Sequence, residues 1–216
     1  MTEPRLPIAL ADIHGRLDLL DAALAAFPDR TFVLLGDYID RGPDSAGVIG
    51  RVRELVESGR AVACLGNHDE WMIDVCLRGG DQTGWLQNGG QATIDSYRDD
   101  WAAMTADAQW MQDALLPWHT HGHVLFSHAM RPDPTGHDLH AHTWGRPDGS
   151  TPFYALPDGV THSVHGHTPM QQPTQFTSAD GSTAWFLDLG ACWTGVLCVF
   201  DAETMTPRVI RAQVPA

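Results

Sequence analysis

Three short apolar runs, residues 7–11, 31–35 and 61–65, are each followed at once by a polar run of Asp, His, Asn and Gly. The polar runs are Asp12-Ile13-His14-Gly15, Gly36-Asp37-Tyr38-Ile39-Asp40-Arg41-Gly42 and Gly66-Asn67-His68-Asp69. Between the first and second, Leu17, Leu20, Leu24 and Phe27 recur at helical spacing up to Pro28. Between the second and third, Pro43 suits a helix start, Val48, Val52, Leu55 and Val56 make an apolar face, and Gly59 supplies a stop. Strand, helix, strand, helix, strand with short crossovers predicts a parallel sheet. The polar runs then leave the carboxyl ends of its strands, the edge where α/β sheets bind ligands.

From residue 70 to about 116 the pattern is helical but broken at Gly79-Gly80 and Gly89-Gly90, which predicts a helical insertion over part of that edge. Trp71, Trp85, Trp101 and Trp110 are read as its packing anchors. Strand-like runs return at 123–127, 161–165, 184–187, 196–200 and 207–212, and predict a second sheet. The stretch 130–159, rich in Pro, His and Gly, is too long for a passive connector and is expected to face the substrate. No repeat or low-complexity segment divides the 216 residues, so one domain spanning 1–216 is expected.

Net charge −14, from 13 Lys+Arg against 27 Asp+Glu, argues against a nonspecific nucleic-acid binder or a protein held on anionic lipid. An acidic chain that takes phosphorylated substrates needs local cations, from metal ions and a few arginines. There is no secretory signal pattern and no membrane-spanning run, which leads to the expectation of a cytoplasmic protein. Cys64, Cys76, Cys192 and Cys198 form no Cys-x-x-Cys pair and are expected to be reduced.

A divalent metal pair acting on a phosphoester needs carboxylate oxygens, neutral imidazoles and one ligand that bridges both ions. Asp12 and His14 share one turn and suit one ion, Asp37 can bridge, and Asn67 offers a carbonyl oxygen to the second. His128 in Ser-His-Ala and His167 in His-Gly-His-Thr-Pro follow strand candidates and can reach the second ion. His119, His121, His123, His137, His140 and His142 lack such a context and are read as nonligands, and His165 as structural because strand alternation separates it from His167. His68, beside a ligand, suits a general acid oriented by Asp40, and Arg41 suits the phosphate oxygens.

These segments, with Gly166-His167-Thr168, resemble the metallophosphoesterases of the phosphoprotein phosphatase type, including bacterial and phage serine/threonine phosphatases and symmetrical diadenosine tetraphosphatases. The resemblance implies an α/β fold, a two-sheet β-sandwich flanked by helices in four layers (α/β/β/α). It also implies a dinuclear centre on Asp12, His14, Asp37, Asn67, His128 and His167, with His68 as proton donor, Asp40 beside it and Arg41 on phosphate. Trp144-Gly145-Arg146 looks like the counterpart of a second phosphate-binding arginine. Trp85-Leu86-Gln87-Asn88-Gly89-Gly90 and Leu187-Asp188-Leu189-Gly190-Ala191-Cys192-Trp193 are similar to bacterial members. Two positions depart from the family: Leu65 stands where an arginine is common, and Met130 where glycine is usual.

The function so implied is attack on phosphorus by a metal-bridging hydroxide in a serine/threonine protein phosphatase. Manganese is the expected metal, with iron, zinc and nickel compatible, and the substrate is a phosphorylated protein or small phosphoester. A symmetrical dinucleoside polyphosphate hydrolase would use the same centre. A nonenzymatic phospho-ligand sensor would keep the fold, but the intact ligand set argues against it.

Overall fold

A computed structural model describes residues 5–212. Strand β1 (Ile8–Leu10) leads to α1 (Leu17–Ala26), β2 (Phe32–Leu34) to α2 (Ser45–Glu57), and β3 (Ala61–Ala63) to α3 (Asn67–Arg78). The three strands pair in parallel in the order of the chain. Helix α2 begins two residues later than Pro43 suggests, because Asp44 is its N-cap and accepts the Gly47 N–H at 2.9 Å. Then come α4 (Gln82–Trp85), a kinked turn (Leu86–Gly90) with Gly89 at φ 107°, α5 (Gln91–Ser96) and α6 (Trp101–Ala114). The helices expected from residue 70 therefore begin at Asn67 itself.

The second half supplies β4 (Trp118–His121), β5 (Val124–Ser127), α7 (Ala141–Trp144), β6 (His162–His165), β7 (Thr174–Thr177), β8 (Thr183–Phe186), α8 (Ala191–Thr194), β9 (Val196–Asp201) and β10 (Thr206–Arg211). Two five-stranded sheets result, in the orders β10-β9-β1-β2-β3 and β4-β5-β6-β8-β7. The runs at 196–200 and 207–212, expected in the second sheet, belong to the first, where β9 lies antiparallel to β1 and β10 antiparallel to β9. Burial on both faces explains β9's place. Leu197 and Val199 join the helix-side core while Cys198 and Phe200 join the core between the sheets, and the slot beside β1 offers both.

The core between the sheets contains Ala9, Val33, Leu35, Val124, Phe126, Val164 and Phe200. The opposite face of the first sheet carries Ile8, Leu10, Phe32 and Leu34, covered by Leu20 of α1, Val52 of α2 and Met72 of α3. Burying each such side chain contributes about 1.5–3 kcal/mol. Residues 130–159 divide their work. Arg131 is buried, donating to Ser163 Oγ and the Tyr154 and Thr183 carbonyls, and Phe153 packs on Phe186 over the second sheet; Trp144 and Arg146 reach the site described below. The four cysteines are free thiols, and no helix among the described residues is long and apolar enough to cross a membrane.

Candidate active site

Each parallel strand ends in a residue of one cluster. Asp12 follows β1, Asp37 follows β2, Asn67 follows β3, His128 follows β5, His167 follows β6 and Asp188 follows β8. All six are buried. Asp188 has no role assigned from sequence, and its position two residues beyond β8 is the signal that marks it.

The loops zip together through their backbones: His14 N–H donates to the Asp37 carbonyl at 2.9 Å, and Gly166 N–H to that of His128 at 2.7 Å. The Asp12 carboxylate accepts the His167 N–H at 2.9 Å. Asp69, also unassigned from sequence, accepts the N–H groups of Gly66, Asp37 and Tyr38 at 2.8–3.0 Å, tying the second polar run to the start of α3. A Cβ on Gly66 would lie 2.3 Å from the Asp37 nitrogen, so only glycine permits this approach. Asp12, His14, Asp37, Asp40, Arg41 and His167 all have φ between 44° and 72°. Left-handed backbone costs a non-glycine residue on the order of 1–3 kcal/mol, and such strain collects at functional sites.

Two groups of donors lie with their ligand atoms within 4.8 Å of one another, His14/Asp37/His68 and Asp37/His128/His167, and Asp37 is common to both. His14 Nδ1 donates to the Ile39 carbonyl at 2.7 Å and His128 Nδ1 to the Leu35 carbonyl at 2.9 Å, so both rings present an Nε2 lone pair inward. Those nitrogens sit 3.5 and 3.4 Å from Asp37 oxygens. His128 Nε2 and His167 Nδ1 lie 2.9 and 2.8 Å from Asn67 Oδ1. Convergence of imidazole lone pairs, a carboxylate and an amide oxygen fits divalent cations. Asp12 stands beside these groups rather than in either, bound to the His167 backbone.

The electrostatics agree. Burial pushes His14 and His167 down to about 3, so they are neutral at pH 7. Burial would raise Asp37, but the imidazoles of His128, His68, His14 and His167 outweigh it and hold the carboxyl below its ordinary value. Burial, then the charges of Asp188 and Asp37, raise Asp12; burial, with Asp37 contributing, pushes Asp188 up to about 6. Buried carboxylates that repel one another are relieved by cations.

His68 Nδ1 and Asp40 Oδ2 are 2.5 Å apart, as the orienting role requires. The Arg41 guanidinium donates to His14 Nε2 at 2.7 Å and His68 Nε2 at 2.8 Å, and lies over the Trp193 ring at 4.9 Å. Arg146 lines the same pocket of about 180 Å³, with no hydrogen bond to its guanidinium among the described residues. Trp71 packs edge-on against His68 and Trp144, and Trp85 donates to Asp40, so two of the presumed packing tryptophans also shape the site. His165 faces away, its Nδ1 3.1 Å from Ser127 Oγ, consistent with strand alternation. Leu65 packs against the helix-side core.

A pH prediction follows for the metal-free protein. His165 has a folded value of about 3 against 6.5 unfolded, so the unfolded chain binds more protons between those limits and this ring's contribution is lost as pH drops below about 6.5. The raised carboxyls of Asp12, Asp69 and Asp188 act oppositely, so the imidazole is isolated by comparing the parent with His165→Gln. Between pH 7 and 5.5 the parent should lose about 1 kcal/mol more stability than the variant. Thermal melts of the two at both pH values test this; an equal pH dependence would show that the imidazole is not held neutral.

Residues 8–188 match the profile of the calcineurin-like phosphoesterases. The chain belongs to that family. It is a metallophosphoesterase, a hydrolase of a family that works with divalent metal ions. Serine/threonine-protein phosphatase 1 of Salmonella typhimurium is 30% identical over 209 residues, covering 87% of this chain and 88% of that protein. A symmetrical bis(5'-nucleosyl)-tetraphosphatase of Ralstonia nicotianae is 32% identical over 136 residues, but the match spans 62% of this chain and 45% of that protein. Among solved structures, one provisionally assigned as a diadenosine tetraphosphatase superposes with a TM-score of 0.68 at 20% identity, covering 98% of this chain and 96% of that one. A protein serine/threonine phosphatase from Saccharomyces cerevisiae gives 0.63 at 13% identity, covering 100% of this chain and 82% of that one. At such identities the superpositions establish the fold.

Proposed function

We propose that this metallophosphoesterase is a phosphomonoesterase for phosphoserine or phosphothreonine in proteins, acting as one domain in the cytoplasm. The observation that carries the chemistry is Asp37 shared by two donor groups, with the hydrogen-bonded His68–Asp40 pair beside them. Asp12, His14 and Asp37 would hold one ion, and Asp37, Asn67, His128 and His167 the other. Oxygen and imidazole donors suit manganese. When bound, the pair lowers the pKa of water from about 15.7 towards about 7 and offsets charge on the phosphoryl oxygens.

The chain's own residues do the rest. Arg41 exchanges its hydrogen bonds to imidazole nitrogen for bonds to phosphate oxygens, and Arg146, which lines the same pocket, supplies a second cation. That exchange frees His68 Nε2 to carry a proton to the departing alkoxide, while Asp40 holds Nδ1–H and fixes the ring's orientation.

The protein substrate is favoured by the match along nearly the whole Salmonella phosphatase. Space agrees: the 180 Å³ pocket suits a phosphate group, and Arg41 also borders an open groove of about 690 Å³ along Gly15, Asp18 and Asp44 that suits extended chain. Dinucleoside polyphosphate hydrolysis is the second reading, favoured by Leu65 in place of a phosphate-binding arginine and by the Ralstonia match. A manganese-supplemented panel of phosphopeptides and diadenosine tetraphosphate separates them. Phosphate release from the peptides is expected; ADP release without peptide turnover would exchange the two readings. Failure to hydrolyse even p-nitrophenyl phosphate with any of several metals would point to a sensor.

A further inference from the structure

The helical insertion does more than cover the site. Asp40 is fully buried, and its Oδ1 accepts the Thr93 hydroxyl at 2.6 Å while the Trp85 indole N–H reaches both carboxylate oxygens at 2.9 and 3.0 Å. With His68 Nδ1 on Oδ2, three donors surround this one carboxylate. The Asp40 backbone is fixed as well, its N–H 2.9 Å from Thr93 Oγ1 and 3.1 Å from Ser45 Oγ. Trp85, Thr93 and Ser45 are all buried.

The same segment grips the next residue. Gly89 carbonyl accepts the Arg41 N–H at 3.1 Å and Asn88 carbonyl accepts Arg41 Nε at 3.3 Å. Both glycines are needed for these approaches. A Cβ on Gly89, at φ 107°, would sit 2.6 Å from Arg41 Cγ, and one on Gly90 would sit 2.6 Å from the Trp85 ring. The kink at Gly89, between α4 and α5, brings these carbonyls to Arg41, and Trp85 at the end of α4 brings the indole to Asp40; Asp40 and Arg41 are both left-handed, at φ 72° and 68°.

We infer that Trp85 and Thr93 are positioning residues for general-acid catalysis: they hold the Asp40 carboxylate against His68 Nδ1 and so aim His68 Nε2 at the leaving oxygen. The inference rests on the reading of His68 as the acid. Trp85 hydrogen-bonds Asp40, which belongs to neither donor group, and does not line the pocket, so its effect depends on how much the leaving group needs a proton. A phenolate or alkoxide needs it, whereas 2,4-dinitrophenolate leaves unaided.

The test measures kcat and KM of the manganese-loaded Trp85→Phe enzyme on phenyl phosphate and 2,4-dinitrophenyl phosphate. General-acid assistance is worth about 10²–10⁴-fold, and a misaimed acid loses part of it. A kcat loss of roughly 10- to 100-fold is expected on phenyl phosphate and under about 3-fold on the dinitrophenyl ester, with KM and bound metal unchanged. Thr93→Val, which keeps shape and loses the donor, should show the same selectivity in smaller measure, and Thr93→Ser should restore activity; it answers the question if Trp85→Phe does not fold. Equal losses on both esters, or none on either, would overturn the positioning role. His68→Asn on the same two esters separates the two claims: a leaving-group-dependent loss there with none in Trp85→Phe sinks only the positioning role, while its absence in His68→Asn sinks the acid assignment itself.

Discussion

Replacing Asp37 with Asn is expected to cut turnover by roughly 10³-fold or more and to lower the bound metal below two ions per chain. Asp37 is common to both donor groups, so this single change weakens both sites at once. Metal ions contribute several kcal/mol of transition-state stabilisation, and each 1.4 kcal/mol or so is tenfold in rate. The amide keeps an oxygen able to accept the His68 N–H, now at 3.0 Å, so local geometry should persist. The metal-free variant should melt below the metal-free parent, because the imidazoles that hold the Asp37 carboxyl below its ordinary value stabilise its charge in the folded protein. Elemental analysis, kinetics and a thermal melt of the stripped protein read the three effects. Two ions retained with undiminished turnover would remove Asp37 as the shared ligand.

His68→Asn is expected to lower kcat on a phosphopeptide by about 10²–10⁴-fold, the range for a positioned acid, and to leave both ions in place. Its ring is within reach of the first donor group, yet its Nδ1 is committed to Asp40 and its Nε2 faces the pocket. Rate and metal content should therefore separate, which distinguishes it from Asp37→Asn. Loss of an ion together with rate would make His68 a ligand instead; unchanged turnover would remove it from the mechanism.

Much of the candidate site was legible because its residues sit at strand ends, and strand ends show in sequence as apolar runs stopped by Asp, His, Asn and Gly. Asp12, Asp37 and Asn67 could be placed together from β1, β2 and β3, since parallel pairing puts their carboxyl ends on one edge. The sheet assigned to β9 was not legible, because a continuously apolar strand fits any interior slot and composition does not name its neighbour. Asp69 and Asp188 were visible as residues but not as participants. A carboxylate's role as acceptor depends on which backbone N–H groups face it. Arg41 stood out in the sequence beside Asp40, while its bonds to imidazole nitrogen follow from side-chain packing against Asn88 and the Trp193 ring.

What the sequence determined by itself is the chemistry on offer: the strand–helix alternation, the identity of the donors and the family to which five ordered motifs point. Tertiary structure alone decided how those donors meet. The second sheet delivers His128, His167 and Asp188 to the first sheet's edge from 61 or more residues beyond Asn67, and Trp85 of α4 and Thr93 of α5, 45 and 53 residues beyond Asp40, clamp the carboxylate that aims the acid. Local pattern records which residues a strand or helix presents. Long-range contacts, set by packing both sheets on one core, fix the distances on which catalysis depends.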